Sequence, residues 1–195
     1  MIGAEMTMLR TTVLLTFTLV LLSCKKDKED PLTPAPPANE EEVITTLVVT
    51  FTDLQTFESK EFRSTDLDGD GGNDPVISTE ELPSDREYTV TIQLLDETVS
   101  PPVNITQQVQ DEAEEHQFFF QVNGAQLTIQ YADEDADTHP LGLLNTATTL
   151  GAGTGTLRVT LRHGPDKGAA GVSGGDITNA GGDTDIEVTF PVTVV

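Results

Sequence analysis

An acidic stretch at residues 66–71, with the sequence DLDGDG, has the residue types of the first half of a calcium-binding loop. Carboxylates at alternate positions can converge on a hard cation, and glycine at the sixth position permits a sharp bend. Asp74 falls on the ninth position, but Ile77 occupies the twelfth, where an EF-hand requires a bidentate glutamate. The spacing excludes an EF-hand and leaves two alternatives: a solvated acidic turn, or a calcium site formed by Asp66, Asp68, Asp70 and Asp74.

A second set of potential metal ligands is less specific in its spacing. The acidic stretch 133–137 lacks the glycine, and the chain contains only three histidines, each with an acid within three residues. Neutral imidazoles beside carboxylates are the ingredients of a zinc or copper site. No two histidines are locally spaced to share a metal, so they are either ordinary loop and strand-end residues or ligands assembled by the fold. The candidates are Asp133, Asp135, Asp137, His116, His139 and His163.

Two glycine-rich motifs do not predict catalysis. Residues 171–175 spell G-x-S-x-G, but a nucleophile elbow needs a strand before the serine and a helix after it. Here the serine lies within a glycine-rich stretch, 164–182, that has no helical pattern. Residues 151–155 precede a strand, whereas a phosphate-binding turn follows one. With no nucleophile–base pair at a credible spacing, we expect that the protein is not an enzyme.

Period-two alternation of apolar and polar residues dominates the chain from residue 43 onward. One apolar face per strand, with turn residues between strands, is typical of two antiparallel sheets packed face to face. We therefore predict an all-β, immunoglobulin-like antiparallel sandwich. The alternating segments are 47–51, 89–95, 118–120, 127–131, 156–162 and 186–194.

Two local features refine this expectation. Asn104 could cap one short helix near 104–115, with Ile105, Val109 and Ala113 on one face. Pro191 cannot donate to a β-ladder, so the last strand is expected to lie at a sheet edge or to carry a bulge there.

The charge balance excludes several partner classes. The chain has a formal net charge of −23 and a single cysteine. Nucleic acid and anionic lipid headgroups require a basic footprint that is missing here, whereas such an acidic surface concentrates cations. With one cysteine, an internal disulfide is impossible.

The N-terminal residues have the pattern of a lipoprotein signal. An uncharged run, 13–22, has the length of a signal-peptide core and is too short to span a bilayer. It ends in Leu-Leu-Ser-Cys, which resembles the box that precedes a lipidated cysteine, here Cys24. We expect a signal peptide at 1–23, a lipidated cysteine with a charged and proline-rich tether at 24–42, and the β-sandwich at 43–195. Met8 would begin a cleaner signal than Met1, so the start codon stays open between them.

Five stretches resemble a group of small acidic outer-membrane lipoproteins of Bacteroidota, often labelled type 1 periplasmic-binding fold superfamily proteins. They are LLSCKKD, STDLDGDGG, DEAEEHQFFF, LRVTLRHGPDKG and GGDITNAGGDTDIEVTFPV. The resemblance implies an outer-membrane location and an association with uptake machinery. The fold name requires two α/β lobes, whereas the alternation predicts strands, so the location is the part that we carry over.

Two functions of different classes follow. The first is a lipid-anchored outer-membrane binding protein, accessory to TonB-dependent uptake of a ligand or metal. The alternative is a calcium-stabilised structural or adhesive surface lipoprotein. The charged residues after Cys24 resemble those of surface-exported lipoproteins, so we expect the outer face, with the periplasmic face as the alternative.

The calcium prediction is tested by thermal unfolding. If the 66–74 loop binds calcium, millimolar calcium should raise the melting temperature of the wild-type protein, because a ligand that binds only the folded state stabilises it. Asp68→Ala should lose most of that increase. Equal melting curves for the two proteins in calcium would contradict the prediction.

Overall fold

The structure is a computed structural model that describes residues 43–69 and 71–195. The predicted signal peptide, Cys24, the tether and Asp70 lie outside the described residues, and those predictions stay as they are. The elements follow the chain as ten strands and one helix within the described part. The strands are β1 (Thr46–Asp53), β2 (Ser59–Thr65), β3 (Val76–Thr79), β4 (Arg86–Asp96), β5 (Val103–Asn104), β6 (His116–Asn123), β7 (Leu127–Tyr131), β8 (Leu144–Thr149), β9 (Gly153–His163) and β10 (Asp183–Val194).

The strands form two antiparallel sheets, which confirms the predicted all-β sandwich. The larger sheet has the order β3-β2-β1-β4-β8-β7, with β5 paired to β4, and the smaller has the order β10-β9-β6. Alternate apolar side chains of the two sheets meet in one core, because each strand turns one face inward. Phe62 of β2 and Phe190 of β10 join the layers, with ring centroids 5.8 Å apart. Core residues include Val49, Val90, Leu94, Phe118, Val159, Leu161 and Val188.

The short helix and the edge position of the last strand are also confirmed. Helix α1 (Thr106–Asp111) buries Val109, and a 3-10 turn, Ala113–Glu115, leads from it into β6. The predicted cap at Asn104 is wrong by one residue, because Ile105 is the N-cap and makes no side-chain capping bond. Asn104 Oδ1 still accepts from Thr106 N at 3.1 Å. Strand β10 lies at the edge of its sheet, but its bulge falls between Thr184 and Ile186 rather than at Pro191.

The glycine-rich segment 164–182 packs over the outer face of β6. It contains two 3-10 turns, Val172–Gly174 and Ile177–Asn179. Phe119, which points away from the main core, forms a small cluster with Val172 and Ala180 of this segment. Gln117 Nε2 donates to Val172 O at 2.9 Å. Strand β6 is therefore buried on both faces, which accounts for its consecutive phenylalanines.

Candidate metal centre

Two of the three histidines meet at one end of the smaller sheet. His116 begins β6 and His163 ends β9, and antiparallel pairing makes them direct cross-strand partners. Their rings are stacked, with centroids 4.7 Å apart and an interplanar angle of 27°. Both share the parity of core residues on their strands, so they lie on the inner face at the end of the sandwich. The side chain of His116 is 0% exposed and that of His163 is 13% exposed.

Asp185 reaches the same place because of the bulge in β10. Thr184 pairs with Arg162 and Ile186 pairs with Leu161, so Asp185 is the extra residue between two ladder positions. A bulge can re-aim a side chain relative to the normal alternation. Asp185 Oδ2 lies 3.6 Å from His116 Nε2, and Oδ1 lies 4.0 Å from His163 Nδ1. A carboxylate that is 5% exposed thus faces both imidazoles.

The outer side of each imidazole also has a partner from the 112–115 segment. His116 Nδ1 lies 3.1 Å from Glu112 O, and because a carbonyl only accepts, Nδ1 carries the proton. In the neutral ring this places the lone pair on Nε2, the nitrogen that faces Asp185. His163 Nε2 lies 3.4 Å from Glu115 Oε2, on the edge of the ring opposite Asp185.

These three residues are of the types that bind transition metals, and they form a group that could hold a metal ion. Within 43–69 and 71–195 they are the group of histidine and carboxylate ligands whose donor atoms all lie within 4.8 Å of one another. Tetrahedral zinc ligands at about 2.0–2.2 Å from the ion lie about 3.3 Å apart. The two separations from Asp185, 3.6 and 4.0 Å, exceed this by less than an ångström, and no two donor atoms of the set are more than 4.8 Å apart. Imidazole nitrogen suits zinc, copper, iron and nickel, whereas calcium prefers oxygen ligands.

The third histidine and the second acidic stretch lie elsewhere and have structural contacts. Asp133 accepts from Gly142 N at 2.7 Å and from Leu144 N at 2.8 Å. Asp135 accepts from the backbone N–H groups of Asp137 at 3.0 Å and His139 at 2.9 Å. These carboxylates stabilise the loop that carries them by accepting hydrogen bonds from its backbone. The second set of potential metal ligands is thus divided. His116 and His163 lie together, and the other four residues do not join them.

Asp135 is also one half of a buried ion pair. Lys167 Nζ donates to Asp135 Oδ2 at 2.8 Å, to Ala113 O at 2.6 Å and to Pro140 O at 3.2 Å. Both side chains are almost completely buried. Burial acts to raise the pKa of Asp135, but the hydrogen bonds from Lys167 and His139 N and the Lys167 charge outweigh it and hold that pKa below its usual value. The pair ties the glycine-rich segment to the 133–140 loop and to the turn before β6.

The predicted calcium loop follows β2 and is held by its own side chains. Asp66 Oδ1 accepts from Gly69 N at 2.9 Å. Asp68 Oδ2 accepts from Asn73 N at 3.1 Å and Asn73 Nδ2 at 2.6 Å, and these hydrogen bonds lower the pKa of Asp68. Asp74 is exposed. The lowered pKa keeps the carboxylate of Asp68 ionised at neutral pH, and calcium binding by this loop stays a prediction.

One groove is lined both by residues of the 66–69 loop and by the bulged start of β10. It encloses about 710 Å³, and its lining includes Asp66, Asp68 and the β10 residues from Thr184 to Val188, among them Asp185. The two acidic features therefore share one end of the sandwich.

Sequence reasoning missed Asp185, Glu115 and Lys167. The alternation of 186–194 assigns Asp185 to the exposed face with Glu187, and only the bulge reverses that assignment. Glu115 is one acid among several in its segment, and Lys167 is an ordinary loop lysine by sequence. The one available signal was that acids lie within three residues of both His116 and His163.

The G-x-S-x-G serine has no elbow geometry. Ser173 lies in a 3-10 turn, and its hydroxyl donates to Lys167 O at 2.8 Å. The residue serves the packing of the glycine-rich segment.

Comparisons with protein-family models, with curated proteins and with solved structures give no match to this chain. In the described part of the chain, no helix is long and apolar enough to cross a membrane.

Replacing Lys167 should destabilise the fold. Lys167→Met leaves the buried Asp135 carboxylate without its cation, so we expect the free energy of unfolding to fall by about 3–5 kcal/mol in urea denaturation. The folded-state pKa of Asp135 lies below its ordinary 3.8. The pair's contribution is therefore present above that value and is lost as the pH falls through the folded-state pKa.

Two further variants control this prediction. Lys167→Met combined with Asp135→Asn should recover part of the loss, because no buried charge then remains. Lys60→Met removes an exposed pair with Glu80 at 3.5 Å and should cost at most about 1 kcal/mol. Equal losses for Lys60→Met and Lys167→Met would contradict the role given to the buried pair.

Proposed function

We propose that this chain is a lipid-anchored outer-membrane protein whose β-sandwich binds a divalent transition metal, with zinc as the leading candidate, at His116, His163 and Asp185. The observation that carries the proposal is the convergence of two stacked imidazoles and one carboxylate with donor atoms within 4.8 Å of one another. Structural zinc sites use four protein ligands, whereas three protein ligands leave a position for water or an incoming group. A site with three protein ligands suits metal capture and exchange.

The surface charge supports capture of a cation. A net charge of −23 raises the local concentration of divalent cations around the domain. The groove that Asp185 lines is also lined by two further acidic residues, Asp66 and Asp68. We propose that these acids attract cations to this end of the sandwich and that the nitrogen ligands select a transition metal from among them.

The location rests on the N-terminal sequence. A lipidated Cys24 would hold the domain at the outer membrane, and the proline-rich residues 31–39 would act as a semi-rigid spacer. A protein held there is placed to pass its ion to a TonB-dependent transporter, which is the partner we propose.

A second function belongs to a different class, and the 66–74 loop favours it. Asp66 and Asp68 already form a compact loop at the end of β2, and calcium bound there would stiffen a structural or adhesive surface protein. Calcium-dependent stability without any transition-metal binding would support that alternative.

Zinc titration tests the proposed function. Isothermal titration of the purified domain should show one zinc ion per chain, and excess calcium should not displace it. Asp185→Asn and His163→Gln should each weaken zinc binding by more than about 100-fold, because loss of a mere outer-shell partner already costs 10–100-fold.

The third histidine provides the matched control. His139→Gln removes an imidazole that lies outside the site, so its zinc affinity should equal that of the wild type. Thermal unfolding of each metal-free variant shows whether it is folded. A silent titration of the folded wild-type protein, or an equal loss in all three variants, would refute the proposal.

Anchoring and partnership are tested in the native membrane. Wild-type protein with a C-terminal tag should fractionate with the outer membrane and co-purify with a TonB-dependent transporter. Cys24→Ala should release the protein from the membrane fraction, because the acyl chains can no longer be attached. Membrane retention of the Cys24→Ala protein would exclude this anchor, and recovery of a folded wild-type protein without a transporter would exclude this partner.

A further inference from the structure

We propose that Glu115 is a positioning residue for the metal site, an inference that rests on the proposed function. The side chain of Glu115 is 67% exposed, and its Oε2 lies 3.4 Å from His163 Nε2. The other ring nitrogen of His163 faces Asp185. Glu115 Oε2 therefore accepts a hydrogen bond from Nε2–H on the outer edge of the ring, which leaves the Nδ1 lone pair directed at the proposed metal position. This is the arrangement in which a carboxylate orients a metal-bound histidine.

The segment that carries Glu115 orients both histidines at once. Glu112 O fixes the tautomer of His116, and Glu115 does the same for His163 from three residues further along the chain. Glu115 N donates to Glu112 O at 2.9 Å, which closes the turn on itself. Both imidazoles can therefore present their ligand nitrogens before the metal arrives.

Contacts from the glycine-rich segment hold this turn in place. Gly164 N donates to Glu115 O at 2.7 Å, and Lys167 Nζ donates to Ala113 O at 2.6 Å. Two hydrogen bonds thus hold the backbone of the turn that carries Glu115, although the side chain of Glu115 is largely exposed. A positioning role fits this combination, because the backbone holds the Cα of Glu115 in place while its carboxylate stays accessible to solvent.

A role as a direct fourth ligand fits the geometry less well. The nitrogens of an imidazole point to different sides of the ring, and Glu115 and Asp185 contact different nitrogens of His163. An ion beside Asp185 and Nδ1 is therefore on the far side of the ring from Glu115. The two roles differ in the fourth ligand of the metal, which is Glu115 in one and water in the other. The visible bands of Co²⁺ respond to that change of ligand.

The test compares two neighbouring acids on the same turn. Zinc affinity and the visible spectrum of the Co²⁺-substituted domain are measured for Glu115→Ala, Glu115→Gln and Glu114→Ala. Glu115→Ala should weaken zinc binding by about 10–100-fold, as outer-shell losses do. Glu115→Gln should recover part of this, because its amide oxygen still accepts from Nε2–H. Glu114→Ala removes the same charge from an exposed neighbour and should bind as the wild type does.

The outcomes separate this inference from the function on which it rests. The Co²⁺ spectrum of Glu115→Ala should keep the wild-type band positions and intensities, because the ligand set of the metal is unchanged. Equal zinc affinities of Glu115→Ala and Glu114→Ala, or Co²⁺ bands that shift in Glu115→Ala alone, would overturn the positioning role while the metal site stands. Absence of zinc binding in the folded wild-type protein would overturn both.

Discussion

The pairing of β9 with both of its neighbours is the constraint on which the rest of the structure depends. On one side its register with β6 brings His163 opposite His116, and on the other its register with β10 brings Asp183 opposite His163. The same registers align Leu161 with Phe118 and Ile186, so the hydrophobic core and the histidine pair are fixed together. A slip by one residue would turn every side chain of a strand to the opposite face, so core burial strongly disfavours it. The site is thus held by the packing energy of the whole sandwich.

Contacts from the glycine-rich segment hold β6 and the turn before it in place beside the histidines. Its backbone covers the outer face of β6 through Phe119 and Gln117, while Lys167 reaches through to Ala113 O and Asp135. A buried ion pair is weak evidence for net stability, but removal of one partner is costly. The pair therefore specifies one arrangement of three chain segments near the histidines. These contacts account for the packed conformation of residues 164–182, which their glycine-rich composition does not suggest.

The fold class was readable from the sequence wherever alternation was strong, as in β4, β9 and β10. The polar strands β2 and β8 were not, because Phe62 is the single large apolar residue of β2 and β8 is largely threonine and alanine. The candidate site was readable in part. Residue type identified His116 and His163 as possible ligands together with His139, Asp133, Asp135 and Asp137, and it could not choose among them. The residues it grouped are near in sequence, whereas cross-strand partners are near in space.

The sequence by itself determined the acidic charge, the β-rich class and the types of ligand available. Each of these depends on composition or on a period-two pattern, which local residues express. The tertiary structure alone decided which ligands meet. The strand register places His116 opposite His163. The bulge turns Asp185 inward, whereas the alternation of the strand would place it on the outer face. Asp135 has the residue type of a ligand, but it forms an ion pair with a distant lysine. The physical reason is that a metal site needs donor atoms within a few ångströms of each other, and only long-range pairing sets such distances here.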